Sequence, residues 1–222
     1  MSKKITQLIV GAIATNCWIY PLVEKDALVI DPGDEADKII SALEKLDLIP
    51  KYILLTHGHF DHIAAATELA AAYSFDGRPP VIAIHRLDSE YLGPDAYKAH
   101  SISVKAAMGD ASFLDAFWPA SREGLPPPGL LLEEGSEVGP FTVIHLPGHT
   151  PGSVAFWDKD EGILFSGDTL FADGYGRTDL PGGSDRELLA SLRRLFAMDG
   201  DIRVYPGHGE TTTIGREAGL NS

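Results

Sequence analysis

The seven residues Thr56-His57-Gly58-His59-Phe60-Asp61-His62 set three imidazoles and a carboxylate directly after the apolar run Tyr52-Ile53-Leu54-Leu55. Side chains at alternate positions of an extended segment leave on the same side. His57 and His59 are therefore spaced to grip one cation, and Asp61 and His62, past the next bend, to face a second. Imidazole with carboxylate is a donor set for zinc, iron or manganese. A purely structural use for such crowding is hard to find, because burying His and Asp without partners is costly.

Three later segments carry further donors. His149 lies in Leu146-Pro147-Gly148-His149-Thr150-Pro151-Gly152, Asp168 in Phe165-Ser166-Gly167-Asp168-Thr169, and His208 in Tyr205-Pro206-Gly207-His208-Gly209. Each follows a strand-like apolar run: Phe141 to Leu146, Ile163 to Phe165, and Ile202 to Tyr205. Each also sits among Gly and Pro, which make turns rather than continue an element. Loops at neighbouring strand ends are where a rigid sheet presents ligands. Five of the eight histidines fall into this one proposed cluster.

The order THxHxDH, PGHTPGS, SGDTLF and PGHG resembles the metallo-β-lactamase superfamily, and the likeness runs from the first hairpin to about residue 215. Gly176-Arg177-Thr178-Asp179-Leu180-Pro181-Gly182-Gly183-Ser184 narrows it to the compact glyoxalase II-like branch of thioester hydrolases. The resemblance implies a first metal site of His57, His59 and His149. It implies a second of Asp61, His62 and His208, with Asp168 bridging the two. It gives Asp61 and Asp168 catalytic duty beside their metal contacts. Asp31, before Pro32-Gly33, stands where the family has an aspartate near the His loop; it is expected either to hold a metal-binding imidazole or to form a helix-capping turn. Arg177 matches a basic contact to glutathione, although larger members carry Lys there and a tyrosine where this chain has Asp179. Bracing its own loop through Asp179 or Asp173 is the alternative for Arg177.

The chain has 222 residues, 44% of them hydrophobic, enough for one domain spanning 1–222 with a full core. Its net charge of -14 argues against a nucleic-acid partner, which calls for a basic track along the phosphates. The single cysteine, Cys17, excludes an internal disulfide and fits a reducing compartment. It sits in an apolar strand-like segment and reads as a packed thiol. Lys3, Lys4 and Ala12-Ile13-Ala14 imitate a signal peptide, but Thr6 and Gln7 interrupt the run, and the resemblance puts Thr15 to Tyr20 in the first hairpin. No stretch approaches the roughly 20 apolar residues of a membrane span. A cytoplasmic protein with no membrane partner is expected.

Strands are expected at Ile5 to Val10, Cys17 to Leu22, Ala27 to Ile30, Lys51 to Leu55 and Val81 to Ile84. Helices are expected at about Glu35 to Leu46, Ile63 to Tyr73 and Asp185 to Met198. Residues 86–128 break the rhythm and read as a helical insertion, with helix within Ala96 to Phe117 before Pro126-Pro127-Pro128. Strand-rich halves, each followed by helices, give an α/β class protein: an αββα four-layer sandwich.

The chemistry this predicts is hydrolysis of small thioesters, hydroxyacylglutathione among them. Two divalent metal ions, zinc first with iron and manganese as alternatives, would share an activated hydroxide that attacks the acyl carbonyl. No serine with a base partner and no Gly-x-Ser-x-Gly elbow is present. A thiolate leaves unprotonated, whereas an amine needs a general acid, and none stands outside the ligand set. Two competing readings are a mononuclear iron persulfide dioxygenase of the same fold and a non-catalytic metal-binding module. His208 and the complete donor set weigh against both. His85, at a strand end, is expected to be structural or to line the pocket.

Overall fold

The computed structural model describes residues 4–74, 77, 79–112, 114 and 125–220. The N-terminal half forms a six-stranded sheet of β1 (Thr6–Val10), β2 (Thr15–Pro21), β3 (Asp26–Ile30), β4 (Ile49–Leu54), β5 (Val81–His85) and β6 (Leu130–Leu132), in that order. The C-terminal half contributes β7 (Glu137–Val138), β8 (Phe141–His145), β9 (Val154–Asp158) and β10 (Ile163–Gly167). After a small ribbon of β11 (Leu170–Phe171) and β12 (Gly174–Tyr175) come β13 (Arg203–Pro206) and β14 (Thr212–Thr213). The second sheet runs β14-β13-β10-β9-β8-β7.

The inner strands are apolar at nearly every position because both of their faces are covered. Side chains alternate between faces along a strand. Trp18, Tyr20, Leu28, Ile30 and Leu54 of the first sheet therefore meet Phe141, Val143, Phe156 and Phe165 of the second. The intervening residues Cys17, Ile19, Val29 and Ile53 turn the other way, towards α1 (Ala36–Leu46), α2 (Phe60–Ile63) and α3 (Ala66–Ala72). On the far side of the second sheet, Ile144, Ala155 and Leu164 take Leu188, Leu192 and Leu195 of α5 (Asp185–Phe196) and Ile214 of α6 (Ile214–Leu220). Helix, sheet, sheet and helix are the four layers expected. Cys17 is fully buried, and burial pushes its thiol pKa up, so it is a packing group.

The expected helix Ile63 to Tyr73 is two helices, and the first begins earlier, at Phe60. Asp61 and His62 thus lie on a helical turn rather than in the loop. The break has a tertiary cause: Ala65 N–H donates to Pro32 O instead of continuing the α2 ladder. In the insertion, Arg86–Tyr91 is a 3-10 turn and Ala96–Met108 is α4. The expected helix beyond it falls largely outside the described residues. Among the described residues no helix is long and apolar enough to cross a membrane.

His100 fastens α4 to the site-bearing half. It is fully buried, its Nε2 lies 2.9 Å from Tyr91 O, and its ring meets Phe60 edge-on. Burial lowers its pKa from 6.5 to about 4. Between those values the unfolded chain binds the proton that the folded chain refuses. This contribution is therefore complete above pH 6.5 and is lost as pH falls towards 4. In metal-free protein the urea midpoint should drop from pH 7 to pH 4.5, and His100→Gln should flatten that slope. An equal slope in both proteins would refute the assignment.

Candidate metal centre

The donors expected from sequence converge at one edge of the two sheets. Three groups have donor atoms that all lie within 4.8 Å of one another: His57, His59 and His149; His57, His62 and Asp168; and Asp61, His62 and His208. Together they are the seven side chains singled out above. His57 and His59 sit between β4 and α2, and Asp61 and His62 on the first turn of α2. His149 follows β8, Asp168 follows β10 and His208 follows β13, so every loop issues from a strand or the helix after one. The two halves are stitched together here. Asn16 N–H and side chain reach the Pro206–Gly209 turn, and Val154 N–H donates to Thr56 O at 2.8 Å.

Asp168 stands between the groups. Its Oδ1 is 3.4 Å from His62 Nε2, and its Oδ2 is 3.6 Å from both His149 Nε2 and His208 Nε2. Asp61 Oδ2 is 3.3 Å from His62 Nε2 and 3.4 Å from His208 Nε2, and it accepts from Thr15 Oγ1. His57, His59 and His149 are buried, and the Nε2 of each has no hydrogen-bond partner; nor does Asp168 Oδ1. Buried polar atoms are nearly always satisfied. Four such atoms facing one another fit a metal-binding function, and the imidazole and carboxylate set suits a divalent transition ion.

Charge in the site divides accordingly. Burial, then the neighbouring imidazoles, push His57 and His59 well below the usual histidine pKa, so both are neutral donors. Burial opposes protonation of His62 too, but Asp61, Asp168 and Asp31 outweigh it and raise the pKa well above 6.5. Burial likewise opposes the raised pKa of His208, where Asp61 and Asp168 prevail. These carboxylates demand positive charge at the Nε2 side of both rings, which a metal would supply while displacing protons.

The other ring nitrogens are held from behind. Asp31 Oδ2 lies 2.9 Å from His62 Nδ1 and accepts from Thr56 Oγ1, while Oδ1 accepts from Thr56 N–H. Asp31 is buried at φ 51, a left-handed conformation that costs energy in a non-glycine residue. It does not cap α1, whose N-cap is Glu35 without a side-chain bond. Thr56 Oγ1 is also 3.1 Å from His57 Nδ1, and His149 Nδ1 is 2.7 Å from the Arg177 carbonyl. Arg177 thus serves this histidine through its backbone. Its guanidinium makes two bonds of 2.6 Å to Asp179, holding that carboxyl down to about 2, while Asp173 pairs with Arg216 instead. His85 stacks on His145 at 4.1 Å and is no part of the cavity wall.

Sequence reasoning missed Asp88. It is fully buried, and three donors converge on its carboxylate: Gly58 N–H at 2.9 Å, Thr150 Oγ1 at 2.7 Å and Gly152 N–H at 2.6 Å. Gly58 lies between His57 and His59, and Thr150 follows His149. Its position three residues past the end of β5 was the available signal. The Thr150 hydroxyl braces its own loop through Asp88.

Gly207 lies against two of the donors at once. A Cβ there would stand 2.2 Å from Asp168 Oδ1 and 2.7 Å from His62 Cε1. Gly207→Ala should therefore displace two donors at once and lower the metal bound per chain, as read by elemental analysis. Unchanged metal content would show that the two side chains shift without consequence.

A cavity of about 480 Å³ opens beside the cluster, bounded by His59, Asp61, His149, Asp168 and His208 at its base. The model of the metallo-β-lactamase superfamily matches residues 10–208. This chain belongs to that superfamily. It is 37% identical over 216 residues to the hydroxyacylglutathione hydrolase GloC of Haemophilus influenzae, covering 96% of this chain and 93% of that one. Among solved structures, TTHA1623 in a di-iron-bound form is 37% identical with a TM-score of 0.77. The BLEG-1 B3 metallo-β-lactamase is 33% identical with a TM-score of 0.79. In both structural comparisons 96% of each chain is covered.

Proposed function

We propose that this chain is a binuclear metal-dependent hydrolase of small thioesters, of the glyoxalase II type. The observation that carries the metal-dependent part is the meeting of seven donors in three groups, with four of their buried atoms left without a hydrogen bond. His57, His59 and His149 would hold one ion, Asp61, His62 and His208 the other, and Asp168 both. Zinc is the first candidate; the di-iron form of TTHA1623 sets iron beside it, and manganese suits the same donors. Bound ions of this kind polarise an acyl oxygen and lower the pKa of water towards neutrality.

The protein's own groups do the rest. Asp31, Thr56 and the Arg177 carbonyl fix the ring orientation of three histidines from behind, which keeps each lone pair aimed at the site. Thr15 holds the Asp61 carboxylate in place. Asp61 and Asp168 offset the positive charge that the site gathers. A thioester releases a thiolate that needs no proton, which suits a site whose acidic groups at the cluster itself are, among the described residues, its own donors. The likeness to GloC supports the same substrate class.

The test is elemental analysis of protein purified without added metal, then a panel of lactoylglutathione, simpler thioesters, a β-lactam and glutathione persulfide. Two ions per chain with thiol release support the proposal. One iron per chain with oxygen consumption on persulfide would replace it with a dioxygenase. β-Lactam opening without thioester turnover would replace it with a lactamase. Full metal occupancy with no turnover at all would leave a binding module.

A further inference from the structure

The cavity above the metal centre has a wall of one character and a rim of another. Ala12, Ile13, Phe60, Val104, Met108 and Leu180 supply an apolar lining. Ile13, on the β1–β2 turn, is 62% exposed, and Met108, at the end of α4, is 64% exposed, so apolar side chains stand open at the mouth. Asp34, Glu35 and Glu68 add three carboxylates away from the metal cluster. Glu35 is shared with Lys38 and the Gly11 amide. Among the described residues Arg177 is the single Arg or Lys in the wall, and Asp179 takes its guanidinium in two hydrogen bonds. At the cavity floor, the unpartnered and buried Nε2 atoms of His59 and His149 mark the reacting end.

Glutathione carries two carboxylates and one ammonium, and a site built for it supplies cations to the carboxylates. Among the described residues this cavity supplies none that is not already paired. We propose that it selects thioesters whose thiol portion is neutral or cationic and whose body is apolar, in preference to those of anionic glutathione. The inference rests on the thioesterase reading and names the substrate class within it. Asp34 and Glu68 set the preference through charge, and Ile13 and Met108 through apolar contact. Exposed carboxylates act through solvent, so the effect is moderate and shrinks with salt.

The experiment holds the acyl group constant and varies the thiol. Metal-replete protein is assayed with S-acetylglutathione, S-acetyl-N-acetylcysteamine and acetylthiocholine, following released thiol. The kcat/KM of the neutral and cationic esters should exceed that of the glutathione ester by about tenfold at low ionic strength, and the gap should narrow as salt rises. Glu68→Lys and Asp34→Asn should each move the ratio towards glutathione by about threefold. A wild-type preference for the glutathione ester that neither variant changes would overturn the inference.

Should neither these three esters nor lactoylglutathione be cleaved, the thioesterase reading fails instead. Selectivity is then read from binding. Calorimetry with S-hexylglutathione and with a hexyl thioether of thiocholine compares the two charges without turnover. Tighter binding of the glutathione thioether would overturn the inference; tighter binding of the cationic one, weakened by Glu68→Lys, would uphold it.

Discussion

On the proposed binuclear reading, Asp168→Asn should lower kcat/KM for the productive substrate by about 10³-fold or more and cost the protein at least one metal ion. The reason is position. Of the seven donors, Asp168 is the carboxylate that faces both His149 and the His62–His208 pair, at 3.4 to 3.6 Å. Two dications held by these seven donors would repel each other, and the carboxylates among the donors would offset part of that repulsion. Asparagine keeps the shape but removes the charge, leaving Asp61 as the one carboxylate among the seven donors. Replacing a group that merely supports a ligand costs about 10- to 100-fold in affinity or activity, so removing a ligand shared by both ions should cost more. A 10³-fold loss corresponds to about 4 kcal/mol of transition-state stabilisation, within what metal polarisation supplies. Elemental analysis and steady-state rates check both halves. Two ions per chain and an intact rate would remove Asp168 from the mechanism, and with it the bridged pair.

Most of the donors were legible because His57, His59, His149, Asp168 and His208 sit beside Gly at the end of an apolar run, where a strand must stop and a loop must turn; Asp61 and His62 were legible from their spacing to His57 and His59. Sheet assignment was legible for a related reason. In β2, β3 and β10 both faces are largely buried, so apolar residues dominate and the run cannot be mistaken for surface. The length of α2 was not legible. Residues 60–73 are alanine-rich and favour helix throughout, and the interruption comes from Pro32, whose carbonyl takes the Ala65 amide from 33 positions away. Propensity carries no record of that bond. Short elements such as β14 and α6 left no periodic signal of useful length, and both owe their place to contacts with β13 and α5. For Arg177 the sequence offered ligand contact and loop brace together. The bidentate bond to Asp179 realises the brace, and the backbone contact to His149 was visible to neither reading.

Asp88 is the sharper case, because its partners are mostly backbone amides, which have no sequence signature. Its carboxylate joins the loop of His57 and His59, in the N-terminal half, to the loop of His149, in the C-terminal half. The fit is close: a Cβ on Gly152 would lie 2.5 Å from Asp88 Oδ1. Among the described residues no Lys or Arg pairs with the carboxylate, and burial pushes its pKa up even as the three donors pull it down. Removing the carboxylate strands those donors, at about 1–3 kcal/mol for each buried group left unsatisfied. Asp88→Ala should therefore lower stability by about 3–5 kcal/mol, which for a chain of this length is a fall in Tm of roughly 10 °C. Because the three donors belong to the loops that carry His57, His59 and His149, metal affinity at that group should fall about 10- to 100-fold as well. Asp88→Asn keeps an acceptor oxygen but turns an amide hydrogen towards a donor, so it should sit between alanine and wild type in both measurements. Competition with a chelator, followed at a temperature where all three proteins are folded, separates the two roles. Lowered Tm with unaltered metal affinity would make Asp88 a strut between the halves and nothing more. Loss of both, graded from wild type through asparagine to alanine, would show that the carboxylate sets the geometry in which the three imidazoles converge.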